Sequence, residues 1–285
     1  MANRVRIGFV GCGGNGRGHL QTLTQMENVQ VAAVCDVQEQ LAQDAAQQTG
    51  ARAFTDFRQM LDESELDAAY LSVPPFVHGE MEFALIERGL PFYVEKPVAL
   101  DVELGRRIAE AVRAKNLITS VGYQLRYRAS SVAARDALNG STPGLLSGYY
   151  WTGTGRAMLG RWWSDRAKSG GQLVEQATHT LDAMLYFAGE VDEVFCYEAA
   201  RQFTPEQTDV PDVTTVMLRF RSGALGTLSC VSSFNEKDGY ANIVDVAYDD
   251  SWLRWTPAAA EVTHAGEKRA LEGEAPQEGE PRAEL

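Results

Sequence analysis

Glu175, His179 and Asp182 recur at helical spacing within the segment SGGQLVEQATHTLD, Ser169 to Asp182. Residues three and four apart share a helix face, so such a stripe gathers two carboxylates and an imidazole. A metal centre and a proton-transfer site both use this set, and an ordinary helix face also carries it. A metal centre needs three or more converging ligands. No HExxH arrangement and no second nearby histidine accompany the stripe, so no metal is expected. Histidine titrates near neutral pH without tuning, which makes proton transfer the chemistry to weigh. Asp182 reads as a structural helix residue.

A second constellation lies near the start. RIGFVGCGGNGRGH places Gly11, Gly13 and Gly16 in a G-x-G-x-x-G pattern, with Gly14 and Asn15 inside it. One glycine makes a tight turn, one lets the backbone approach a pyrophosphate, and one lets helix and strand pack closely. The free N–H groups and positive end of the helix then face the phosphates. Asp36 follows Gly16 by twenty residues at the end of the next strand pattern, where a carboxylate accepts both adenosine ribose hydroxyls. That carboxylate repels a 2′-phosphate, and DVQEQ offers no adjacent arginine. NAD is therefore expected over NADP.

The elements that must position these residues are legible in outline. Strand patterns run Val5–Val10, Val31–Asp36, Ala68–Val73, Pro91–Glu95 and Ile118–Tyr123, with helical patterns over His19–Met26, Gln38–Thr49, His78–Arg88 and Asp101–Lys115. Asp101 reads as an N-cap, with Leu104, Ile108, Ala111 and Val112 on one face. This alternation predicts a parallel sheet covered on both faces. After about Tyr123 the rhythm changes. A helix over Ser130–Leu138 and a strand over Leu145–Thr152 precede an irregular stretch rich in Trp, Arg and Gly. One helix is then expected from the Ser169 segment to about Ala188. Strand patterns follow over Val191–Ala200, Val213–Phe220, Ala224–Ser233, Ala241–Tyr248 and Ser251–Trp255, separated by short turns such as RSG and DDS. The expectation is α/β overall: a dinucleotide-binding domain over residues 1–122 and an α+β domain over 123–285 with a largely antiparallel open sheet. The last twenty residues, rich in Glu, Gly and Pro, are expected to fray.

At 285 residues, 45% hydrophobic and 23% charged, the chain supports two folded domains. A net charge of −13 argues against a nucleic-acid partner, which needs a basic face. No run reaches membrane-span length, and MANRVR leads straight into a strand pattern without an apolar leader. The four cysteines are scattered and form no CxxC pair, which fits a reducing compartment. A cytoplasmic location is expected.

At YVEKPVAL the chain resembles the Gfo/Idh/MocA oxidoreductases (glucose–fructose oxidoreductase, inositol dehydrogenase and relatives), through Glu95-Lys96-Pro97. The glycine loop ends in His19, as family members often do. LSVPPFVHGE, with Ser72, Pro74 and His78, is similar to the family's V-x-x-P-x-x-x-H segment lining the cofactor cleft. GYQLRY resembles its strand-end G-[YF]-[NQ]-x-R, and GGQLVEQATHTLD its G-G-x-L-x-D-x-G-x-H-x-x-D helix. The motifs occur in family order over most of the chain.

The resemblance implies a Rossmann domain followed by a domain whose open sheet carries substrate and builds a homodimer or homotetramer. It also implies hydride transfer between nicotinamide and a carbinol carbon of a sugar, polyol or similar molecule. His179 then serves as general acid/base, and Lys96 hydrogen-bonds the reacting oxygen. Glu175, four residues before His179, tunes it or touches substrate. Cofactor contacts fall on the glycine loop, Asp36, Ser72, Pro74, His78, Glu95, Lys96 and Gln124. Substrate contacts fall on Lys96, Gln124, Arg126, Glu175 and His179, with Tyr123 a weaker candidate near the nicotinamide. Apart from the resemblance, the stretch YYWTGTGRAMLGRWWSDRAKSGG offers Trp151, Trp162 and Trp163 as flat faces for a substrate sugar ring or equally as sheet-edge and interface anchors, and Arg156 and Arg161 as partners for substrate hydroxyls or a carboxylate. Three departures stand out. Glu175 replaces the family's usual Asp, Ala177 replaces a small glycine, and family chains generally run some tens of residues further. Two alternatives accompany this reading: an NAD-dependent glycosidase working by oxidation and elimination, and a nucleotide-binding sensor without turnover.

Overall fold

Short apolar runs alternating with one-faced helical runs build the first half of the chain. In the computed structural model, which describes residues 4–235 and 240–273, they become six strands and five helices. The strands are β1 (Val5–Val10), β2 (Val29–Cys35), β3 (Arg52–Phe54), β4 (Ala68–Leu71), β5 (Phe92–Val94) and β6 (Thr119–Val121). The helices are α1 (Gly14–Gln25), α2 (Glu39–Thr49), α3 (Phe57–Glu63), α4 (Glu80–Arg88) and α5 (Val102–Lys115). All strand pairs are parallel, in the order β3-β2-β1-β4-β5-β6. Apolar residues line both faces: Val10, Leu71, Val94 and Ile108 on one, Phe9, Leu20, Val34 and Tyr70 on the other. Asp101 caps α5 as expected, accepting from Leu104 N at 2.8 Å.

Two features of this unit escape sequence patterning. Helix α1 begins at Gly14, five residues before the pattern at His19, because packing overrides glycine's poor helix propensity. The stretch between α2 and β4 holds β3 and α3, the latter capped by Asp56, which accepts from Arg58 N and Gln59 N. A three-residue edge strand is too short to show alternation.

The chain divides into two units between Gly122 and Tyr123. The second contains α6 (Ala129–Leu138), β7 (Pro143–Trp151), α7 (Thr154–Ala157), α8 (Arg166–Ser169), α9 (Gln172–Glu175) and α10 (Thr178–Ala188). Seven strands follow: β8 (Val191–Ala199), β9 (Val213–Phe220), β10 (Leu225–Val231), β11 (Ala241–Tyr248), β12 (Ser251–Trp255), β13 (Ala260–His264) and β14 (Glu267–Leu271). The sheet order is β14-β13-β12-β11-β7-β10-β9-β8, antiparallel throughout except for the parallel β7/β10 pair. One face buries Leu146, Val216, Leu218, Leu228 and Val244 against Met184 and Phe187 of α10 and Ala134 and Leu138 of α6. On the other, Leu145, Phe195, Met217 and Leu225 are exposed.

Two expectations for this unit are corrected. The helix expected to run unbroken to Ala188 is two segments. Ala177 N reaches back five residues to Gln172 O, and Gln176 departs from helical geometry at φ −118°. A five-residue closure inserts an extra residue into the turn, so the four-residue spacing of Glu175 and His179 no longer defines one helix face. Part of the expected frayed tail is ordered, since Glu267–Leu271 pairs with β13. Residues 274–285, the rest of that expectation, lie outside the described residues. Among the described residues no helix is long and apolar enough to cross a membrane, and the four cysteines are free thiols.

Candidate active site

The strand order reverses between β1 and β4, and ligands of open parallel sheets bind at the carboxyl ends of strands beside such a switch point. The first unit collects its candidate residues there. The glycine loop follows β1, Asp36 follows β2, Ser72 and Pro74 follow β4, and Glu95 and Lys96 follow β5.

Each glycine of the loop has its own reason. At Gly11 (φ +95°) a Cβ would sit 2.1 Å from Ser72 O, and at Gly16 it would sit 1.9 Å from Gly11 O. These two close the turn against the sheet and the helix. At Gly13 and Gly14 a Cβ would meet nothing within 4 Å among the described residues, so bare backbone is left uncovered by them at the N-terminus of α1. The first turn of α1, with Asn15 in it, holds no acid to compensate its positive end. Asp36 Oδ2 accepts from Cys12 N at 2.8 Å and Oδ1 from Gln38 N at 2.9 Å. That fixes the carboxylate beside the loop, with acceptor capacity remaining on both oxygens. Ser72 Oγ is buried and makes no hydrogen bond among the described residues. Open backbone, an uncompensated helix end, an anchored carboxylate and a buried hydroxyl fit a dinucleotide.

Glu95 is buried, and its carboxylate turns inward. Oε1 accepts from Tyr93 Oη at 3.1 Å and lies 2.9 Å from His19 Nε2, while Oε2 accepts from Lys96 N at 3.1 Å. Burial pushes the carboxyl up, but His19, Lys96 and Tyr93 outweigh it and hold it below its ordinary value. His78 likewise presents no exposed side-chain surface: Nδ1 lies 2.6 Å from Glu82 Oε1, and Glu82 Oε2 accepts from Gly79 N. This pair caps α4.

In the second unit the turn over Gln124–Tyr127 packs on α10. The Tyr123 ring meets the His179 ring edge-on, with centroids 6.1 Å apart, and its hydroxyl lies 3.0 Å from Thr178 Oγ1. Burial pushes the Tyr123 phenol up, so it stays protonated at neutral pH. Arg126 donates through Nε and Nη2 to Asp182 at 2.7 and 2.6 Å. Asp182 is therefore the anchor of Arg126, which gives its helix position a structural purpose. Gln124 Oε1 is buried without a hydrogen bond among the described residues. Glu175 sits near Tyr150, whose phenol is pushed up by burial, by Tyr240 and by the Glu175 charge.

Of the aromatic and basic candidates, Trp163 is fully buried, whereas Trp162 is partly exposed. Trp151 donates to Ser229 Oγ at 3.2 Å, Arg156 donates through Nε to Ser233 O, and Arg161 is exposed. No group of three or more His, Cys, Asp or Glu side chains among the described residues is arranged to hold a metal ion. The Tyr123–His179 and Arg126–Asp182 contacts had no signal in sequence, because each joins residues more than fifty positions apart.

A classical-order parallel sheet with a glycine turn at its switch point, followed by a helix-backed mixed sheet, defines a nucleotide-binding oxidoreductase architecture. The chain belongs to the Gfo/Idh/MocA family. Residues 5–123 match the model of the oxidoreductase family with NAD-binding Rossmann fold, and residues 145–253 match the GFO/IDH/MocA C-terminal domain. Myo-inositol 2-dehydrogenase of Thermotoga maritima is 26% identical over 79% of this chain and 67% of its own length. The fold is shared with two solved structures. The WlbA dehydrogenase of Bordetella pertussis, in complex with NADH and UDP-GlcNAcA, has TM-score 0.83 and 22% identity, covering 96% of this chain and 84% of that one. Levoglucosan dehydrogenase, in complex with NADH and levoglucosan, has TM-score 0.84 and 20% identity, covering 95% and 80%.

Proposed function

We propose that the protein is an NAD-dependent dehydrogenase that oxidises a carbinol carbon of a sugar, polyol or related small molecule. The observation that carries this reading is Lys96, just past the carboxyl end of the interior parallel strand β5 in a sheet whose glycine loop fits a dinucleotide. The names of the relatives, which include dehydrogenases of inositol and levoglucosan, support the substrate class.

Gly13, Gly14 and Asn15 would hold the pyrophosphate, Asp36 the adenosine ribose, and Ser72 with Gln124 further polar edges; bound NAD supplies the hydride acceptor. Loss of hydride from a carbinol carbon requires loss of the hydroxyl proton. His179 takes that proton as general base and returns it in the reverse direction. Lys96 donates a hydrogen bond to the same oxygen and stabilises its developing negative charge. Tyr123 orients the imidazole from the side, and Glu175 contacts substrate or tunes His179. Arg126, anchored by Asp182, keeps donors for substrate hydroxyls. Trp162 presents an aromatic face to a sugar ring, a role its partial exposure favours over that of Trp163.

Two wider readings accompany the chemistry. Copies of the chain associate as a dimer or tetramer through the exposed sheet face, where Leu145, Phe195, Met217 and Leu225 lie uncovered. Four free thiols fit a reducing cytoplasm.

The test is turnover. Purified protein with NAD and a panel of sugars and polyols should produce NADH, followed by its absorbance. Lys96→Ala and His179→Ala should each lower kcat by about 10²–10⁴-fold while NADH affinity changes little. Binding of NADH without reaction in either direction, on a panel including inositol and levoglucosan, would sink the proposal.

A further inference from the structure

We propose that His19 is a positioning residue for Lys96, acting through the buried carboxylate of Glu95; this rests on the dehydrogenase reading given above. His19 is the sixth residue of α1, the helix whose N-terminus carries the glycine loop, and it is buried. One ring nitrogen, Nδ1, lies 2.8 Å from Tyr70 Oη on β4. The other, Nε2, lies 2.9 Å from Glu95 Oε1, just past the end of β5. An ionised carboxylate only accepts, so Nε2–H donates. Glu95 then passes the constraint on, since its other oxygen accepts from the backbone N–H of Lys96 at 3.1 Å.

The surroundings hold this chain in one arrangement. The Tyr70 and Tyr93 rings stack at 4.1 Å, Phe9 stacks on Tyr70 at 5.0 Å, and the Tyr93 hydroxyl donates to the same Glu95 oxygen as His19. On the far side Gly122 leaves room, because a Cβ there would lie 2.5 Å from Tyr93 Oη and 3.0 Å from Glu95 Oε2. A buried ionised carboxylate is costly unless its lone pairs are satisfied. Here every donor comes from a different element, α1 or β5, or from the peptide of Lys96 itself. A purely apolar filling would pack α1 on the sheet equally well. What it would lack is a directional tie between the helix that receives the cofactor phosphates and the peptide that launches the Lys96 side chain. Hydride transfer depends on placement to within about an ångström, and this tie sets that placement for Lys96.

His19→Gln and His19→Ala separate positioning from scaffolding. The glutamine amide reaches Glu95 from nearly the place of Nε2 and keeps the donation; alanine removes it. His19→Ala is expected to lower kcat about 10–100-fold, to raise the primary deuterium isotope effect on kcat with C-deuterated substrate, and to leave the NADH Kd within about threefold. His19→Gln should keep kcat within about threefold of wild type. A second readout does not need turnover: the rate at which trinitrobenzenesulfonate modifies Lys96, measured by peptide mass spectrometry, should change at least about threefold in His19→Ala and not in His19→Gln. Should His19→Ala fail to fold, Tyr93→Phe removes one donor from the same oxygen and should shift both kcat and Lys96 labelling in the same direction by less. If wild type turns over but folded His19→Ala, or Tyr93→Phe in its place, keeps wild-type kcat and Lys96 labelling, the inference is overturned and the dehydrogenase reading stands. A loss of NADH affinity matching the loss of kcat also overturns it. A wild type inactive on every substrate, with Lys96 labelling still altered in His19→Ala, removes the dehydrogenase reading and leaves the structural coupling.

Discussion

Asp36 is tied to the fold in a way that suits the ligand role proposed for it. Each of its oxygens accepts one backbone N–H, from Cys12 and from Gln38, and the remaining lone pairs fit ribose hydroxyls. Hydrogen bonds to a charged group contribute about 1.5–3 kcal/mol each. Asp36→Ala should therefore weaken NADH binding by about 10–100-fold and narrow the preference over NADPH, read by fluorescence titration; an unchanged Kd in the folded variant would remove Asp36 from the site. The place of Asp36 just after β2, beside the glycine loop, was legible from spacing alone, because strand, turn and helix of a βαβ unit have nearly fixed lengths. Glu95 was legible as a motif but not in its role. Its partner His19 lies 76 positions away, and no local pattern ties the two.

At the scale of elements, the proposed function divides the glycine loop between packing and binding. Gly16→Ala drives a Cβ to within 1.9 Å of the Gly11 carbonyl, an overpacking that costs about 1–3 kcal/mol and should lower Tm by several degrees in a thermal melt. Gly13 has an ordinary φ of −68°, and among the described residues nothing lies within 4 Å of its Cβ position. Gly13→Ala should therefore leave Tm unchanged and weaken NADH binding about tenfold or more, by filling the space the ligand backbone approach requires. Equal Tm for the two variants would count against this division of labour. The α9–α10 break marks the opposite limit of legibility. Apolar periodicity from Leu173 to Ala188 reads as continuous, and the interruption shows only in the backbone, in the Ala177–Gln172 bond and the Gln176 φ.

For the whole molecule, the open sheet of the second unit matters because Leu145, Phe195, Met217 and Leu225 are exposed on one face of it. Register places Phe195 beside Met217, Met217 beside Thr227, and Thr227 beside Ser147, with Leu225 beside Leu145 in the next row. Exposed apolar rows of this kind mark interaction surfaces. The double variant Phe195→Lys with Met217→Lys should shift the protein to a smaller species in light scattering after gel filtration. Lysine is chosen because the chain already carries a net charge of −13, and added acid would repel copies regardless of where they touch. An unchanged mass for a folded variant would direct the search to another surface.

Local periodicity and fixed loop lengths determined the parallel sheet, the glycine turn, the Asp36 position and the mostly antiparallel second sheet, since these depend on residues a few positions apart. Tertiary structure alone decided what lies across the sheet layers. It drew Glu95 inward onto His19, gave Asp182 to Arg126, set Tyr123 against His179, buried Trp163 and left Trp162 at the surface. These contacts join distant segments whose meeting is fixed by how helices pack on sheets, and the one-dimensional pattern of apolar and polar residues carries no record of which side chains then come within hydrogen-bond distance.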